Sequence, residues 1–138
     1  MVNLFDHCSK LKFVSFNFNA EKLTDITGIF RFCIELKSIN IDLYNTKSLK
    51  IMDETFRECK YLQYIDFSSL NFEKLISLNL TFYYCENLLE IKFPNTYTKE
   101  LNYMVQIFLG CWKIKKIELD YHISLKYKST FYFILNKF

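Results

Sequence analysis

The sequence predicts an α/β solenoid, with a parallel strand ladder on one face of a stack and short helices on the other. Three observations predict it. The five cysteines, Cys8, Cys33, Cys59, Cys85 and Cys111, follow one another at spacings of 25, 26, 26 and 26. Each sits in nearly the same spelling, F-x-x-C-x-x-L-x-x-I-x-F, as from Phe56 to Phe67. Within each copy the apolar period changes from steps of three and four to steps of two.

The columns are read in chain order. Three residues before the cysteines stand Phe5, Phe30, Phe56, Phe82 and Phe108, and three after them Leu11, Leu36, Leu62, Leu88 and Ile114. Val14, Ile39, Ile65, Ile91 and Ile117 come next, and two further on Phe16, Ile41, Phe67, Phe93 and Leu119. The last two columns alternate with polar residues, as in Ile65-Asp66-Phe67, which reads as a short strand with one face inward. Leu23, Ile26, Phe30 and Cys33 step by three and four, which reads as two turns of helix with an apolar stripe. The unit is helix, turn, strand and connector, within the period of leucine-rich repeats. One unit cannot bury its own apolar face, so stacking in register aligns the columns and pairs the strands about 4.8 Å apart. The one-residue deletion falls between Val14 and Leu23, in a connector, where length changes are tolerated.

The set of columns resembles the BspA-like leucine-rich repeats of bacterial and protist surface proteins, over about residues 1–120. Asp42 to Met52, DLYNTKSLKIM, is similar to the connector of that family's 25-residue variety, and Asp66-Phe67-Ser68 to its strand end. The resemblance implies binding to host proteins, matrix or other cells, at the cell surface or after secretion. It implies no catalytic residue.

Two segments are therefore expected: a solenoid of about five units over 1–120, and a degenerate or capping unit over 121–138, where Ile134 stands in place of a cysteine. Met1 falls in the column of Met52 and Met104, so the chain begins partway through a unit. Further repeats, or end-to-end association, would cover that open face. Met1 is followed by VNLFDHCSK, which is not a signal peptide, and no run approaches the roughly 20 apolar residues of a membrane helix. A soluble chain without membrane insertion is expected.

Composition narrows the chemistry. Eighteen basic against 15 acidic residues leave +3, too little to imply a nucleic-acid partner. One cysteine per unit does not make the close pairs of a zinc site, and the two histidines, His7 and His122, do not supply partners. The cysteines read as buried, small apolar residues. No serine-histidine-aspartate set is evident, and Gly28 and Gly110 do not make a phosphate loop. The KIKK run, Lys113 to Lys116, reads as a solvated face, interrupted by Glu118 and Asp120. The sequon Asn79-Leu80-Thr81 falls in the predicted helix and carries little weight. Neither enzyme activity nor a cofactor or metal is expected. A thiol-based redox function on Cys8 is the weakest reading retained.

The outward strand face is the candidate site. If Val14 and Phe16 point in, then Phe13, Ser15 and Asn17 point out. The equivalent sets are Ser38, Asn40 and Asp42; Tyr64, Asp66 and Ser68; Glu90, Lys92 and Pro94; and Lys116, Glu118 and Asp120. These vary between units while the inward columns stay apolar. Phe13 and Tyr64 are aromatic residues of the type favoured as interface anchors. The expectation is a non-catalytic protein-binding or adhesion module using Phe13, Ser15, Ser38, Asn40, Tyr64, Asp66, Glu90, Lys92, Lys116 and Glu118 towards a protein partner. A purely structural segment of a larger repeat protein is the alternative.

Overall fold

In the computed structural model, which describes residues 1–96 and 98–119, the L-x-x-I-x-F ends of the five units become short strands. These are β1 (Phe13–Asn19), β2 (Ser38–Tyr44), β3 (Tyr64–Asp66), β4 (Glu90–Lys92) and β5 (Lys116–Glu118). Pairing is parallel and follows the columns. Val14 is opposite Ile39, and Ile65, Ile91 and Ile117 lie in line. The degenerate unit expected at 121–138 lies outside the described residues.

The helical side does not form, and the expected α/β leucine-rich repeat solenoid is corrected accordingly. Among the described residues the one helical element is the 3-10 turn Thr46–Ser48, in a connector. A helix would carry each N–H to the carbonyl four residues back. Here Ile29 and Arg31 donate three residues back, at 3.3 and 3.1 Å, and the residues between them donate elsewhere. Gly28, Phe30 and Phe32 donate to Asp53, Thr55 and Arg57 of the next unit, at 2.9, 2.9 and 2.8 Å. Alternate N–H groups therefore leave the unit, and the segment becomes a string of three-residue turns. Left-handed backbone punctuates the string twice per unit: Gly28 and Phe32, then Glu54 and Glu58, Leu80 and Tyr84, Gln106 and Gly110. Consecutive turns bring every third or fourth residue to one side, which is why their apolar spacing resembles a helical stripe.

A second parallel register replaces the helices. Bridges run Asp25, Ile51, Ser77, Tyr103 across four units. The strand side is less continuous than the sequence predicts. It is two sheets, β1-β2 and β3-β4-β5, with no ladder joining β2 to β3. The cause is local. β1 and β2 stay extended for seven residues, but β3 stops after three, where Asp66 Oδ1 accepts the Ser68 N–H at 2.7 Å. That carboxylate turn ends the strand, as aspartate readily does.

The interior is aromatic and sulfur-bearing. Phe5, Phe30, Phe56, Phe82 and Phe108 stack in sequence, with ring centroids 5.4–5.6 Å apart and planes within 17°. Cys33, Cys59, Cys85 and Cys111 are buried, whereas Cys8, on the first unit, is exposed. Each buried thiol donates to a phenylalanine carbonyl of the preceding unit: Cys33 to Phe5, Cys59 to Phe30, Cys85 to Phe56 and Cys111 to Phe82, at 3.0–3.1 Å. Thr55 and Thr81 do likewise, bonding Ile26 and Met52 carbonyls across the unit boundary. The columns thus supply apolar area and also satisfy interior carbonyls that the turns leave open.

Candidate functional site: a depression on the strand face

The strand face bears out the alternation and separates the candidate residues into two groups. Phe13, Ser15, Ser38, Asn40, Tyr64 and Lys116 are exposed; Asp66, Glu90, Lys92 and Glu118 are half-buried. Pro94, expected to face outward, is buried, because the chain leaves the strand after Lys92. Asp120 lies outside the described residues.

On β4 and β5 the polar residues are spent on one another. Lys116 Nζ reaches Glu90 at 2.9 Å and also pairs with Glu118. Hydrogen bonds donated to Glu118 and then Glu90 hold the Lys116 ammonium well above its ordinary value. Ion pairs of this exposure contribute about 0–1 kcal/mol each, so they set side-chain geometry more than stability. Two lysines of the KIKK run are engaged in the same way: Lys113 donates to Asn87 and Lys116 to the two glutamates.

On β1 to β3 the residues enclose space. Phe13, Ile39, Asn40, Tyr64, Asp66, Ser68 and Ser69 line a depression of about 360 Å³ over the junction where the two sheets fail to pair. Phe13 and Tyr64 keep 59% and 47% of their surface exposed, whereas Val14 and Ile65 beside them in the chain are buried. Ser38, between them on β2, is small and exposed. Asn40 donates to Ser15 at 3.4 Å. Tyr64 donates its hydroxyl to Asp66 Oδ2 at 3.1 Å. Burial works to raise the Asp66 carboxyl, but the bonds from Ser68 and Tyr64 and the charge of Lys92 outweigh it, and it sits below the usual carboxylate range. Asp66 is therefore ionised at neutral pH.

Sequence reasoning placed Phe13, Asn40, Tyr64, Asp66 and Ser68 on this face but missed the depression, with Ser69 and Ile39 in its wall. The Asp-x-Ser-Ser spelling after a strand carried part of the signal, as a carboxylate turn that sets Ser68 and Ser69 beside Asp66. Beneath the junction an apolar void of about 30 Å³ lies among Phe16, Ile39, Leu43, Phe56 and Phe67.

The other face is committed to structure. Arg31 forks onto Asp6 at 2.6 and 3.1 Å and reaches Glu54 at 3.3 Å. Arg57 lies between the rings of Phe32 and Tyr83, 5.5 and 5.2 Å from their centroids. Asn79, the sequon residue, donates to Ser77 Oγ and accepts the Val105 N–H at 2.8 Å. Burial pushes the Cys33 and Cys111 thiols up to about 12, and Cys59 and Cys85 well above the ordinary value. Buried protonated thiols are poor nucleophiles.

Units of 25–26 residues, each hydrogen-bonded to the next and presenting a different outward strand, define a repeat protein. A family described as Mycoplasma protein of unknown function, DUF285, matches residues 1–121, and the chain belongs to that family. No curated protein and no solved structure matches it.

Proposed function

We propose that the chain is a non-catalytic protein-binding or adhesion module that acts through the β1–β3 end of its strand face. The observation that carries this reading is the depression between Phe13 and Tyr64. Two large aromatic side chains stand exposed at its edge, and exposed aromatic anchors around a concavity are the composition of a recognition surface. The motif resemblance to BspA-like repeats of bacterial and protist surface proteins supports the same reading and a place at the cell surface. The partner is a protein, with no nucleic acid and no membrane insertion.

A second reading, a structural segment of a larger repeat protein, is favoured by the β4–β5 end. There Glu90, Lys116 and Glu118 are consumed in ion pairs, one across β4 and β5 and one within β5. Capture of partners from a host-cell lysate separates the two. Phe13→Ser with Tyr64→Ser should abolish capture, and Tyr103→Ser on the turn side should leave it unchanged. Capture unaffected by the double change would leave the structural reading.

A further inference from the structure

The geometry points to the depression at the β2–β3 junction as a receptor for an arginine side chain on an extended segment of a partner protein. The inference deepens the binding reading above and rests on it. The first argument is charge. Asp66 has hydrogen bonds from Tyr64 and Ser68 but no basic side chain within ion-pairing distance among the described residues. Lys92, beside it in register, influences it only through space. Lys116, the other nearby cation, is held by Glu90 and Glu118, so the carboxylates on this patch outnumber its cations.

The second argument is shape. Asp66 Oδ1 accepts the Ser68 N–H and Oδ2 the Tyr64 hydroxyl, with the Ser68 hydroxyl also bonded to the carboxylate, which as an acceptor of about four bonds retains capacity for a donor. A planar guanidinium bonds two carboxylate oxygens at once, whereas an ammonium is a point donor. The Tyr64 ring lines the depression and holds that carboxylate through its hydroxyl, adding aromatic surface beside the bound cation. Phe13 and Ile39 supply apolar wall for an aliphatic stem, and Asn40, Ser68 and Ser69 a polar rim for the partner's backbone. The strands on either side are not joined by a ladder, so the side chain enters without breaking one.

The test titrates the full chain with acetyl-arginine amide, acetyl-lysine amide and acetyl-citrulline amide, followed by amide NMR shifts. Arginine should move Phe13, Asn40, Tyr64 and Ser68 saturably, with citrulline weaker by at least ~10-fold and lysine intermediate. Asp66→Asn keeps an acceptor for the Ser68 N–H and should lose arginine binding by a similar factor, with its unaffected spectrum elsewhere reporting an intact fold. Phe13→Ser, at an exposed position, should weaken it several-fold. Equal shifts with citrulline, or undiminished binding by Asp66→Asn, would overturn the inference. Partner capture distinguishes the two levels. Loss in the Phe13/Tyr64 variant with full capture by Asp66→Asn removes the arginine site and keeps the binding face; full capture by both removes the face.

Discussion

The ring of Phe56 lies 5.6 Å from that of Phe82 and 2° from parallel. The two residues are 26 positions apart in sequence. That stacking is one step in a column running through all five units, and it couples each unit's stability to its neighbours.

Phe56→Ala should cost about 3–5 kcal/mol, the range for removing a fully buried phenylalanine, because it empties the ladder from both sides. Phe5→Ala, half-buried and stacked only on Phe30 within the column, should cost roughly half as much. Urea unfolding of the two variants checks this. Equal losses would count against the stacked column.

Gln106 is exposed and left-handed, at φ 50°. In a helix interior, glycine at this position would destabilise by about 1 kcal/mol. In the observed turn it relieves a left-handed side chain, so Gln106→Gly should be neutral or stabilising by up to ~1 kcal/mol. Gly110→Ala should destabilise, since its Cβ would lie 2.9 Å from the Tyr84 Cα on a backbone at φ 84°. Thermal denaturation reads both signs. Loss of stability on Gln106→Gly would restore the helical account.

The thiols predict an order and a pH dependence. A maleimide should modify Cys8 in the native protein and reach Cys33, Cys59, Cys85 and Cys111 only on unfolding, as mass spectrometry can show. Burial raises the folded thiols above their ordinary 9.0, so the stability they lend is complete below about pH 9 and declines as pH climbs towards 12. Each raised thiol steepens the decline by up to about 1.4 kcal/mol per pH unit. Cys111→Ala should make the alkaline slope shallower; an unchanged slope would count against burial as the cause.

Arg31 governs the acid side. Its hydrogen bond holds the Asp6 carboxyl below its ordinary 3.8. The stability this lends is present above that value and lost as pH falls through the lowered folded one. Arg31→Lys keeps the charge but loses the fork, and should cost about 1 kcal/mol at pH 7 in urea titrations. Asp6→Asn should flatten this part of the acid transition.

The sequence by itself determined which residues are equivalent. A 25–26-residue period with phenylalanine, cysteine, leucine and isoleucine in fixed places is a statement about what must meet what, and Val14 does lie opposite Ile39, and Ile65 opposite Ile91. It also put Phe13, Tyr64 and Asp66 on one face, because strand side chains alternate whatever the partner strand. Only the tertiary structure decided between helix and turn. Leu23, Ile26, Phe30 and Cys33 suit both, and the choice fell to hydrogen bonds from Gly28, Phe30 and Phe32 to carbonyls 25 residues away, which no local pattern encodes. The same holds for the site. Asp66 and Phe13 are 53 residues apart and share a depression over the junction of two sheets that no ladder joins. Periodicity specifies inward-facing residues because burial repeats with every unit, but a concavity arises where one unit departs from the repeat, and that departure is a property of the stack.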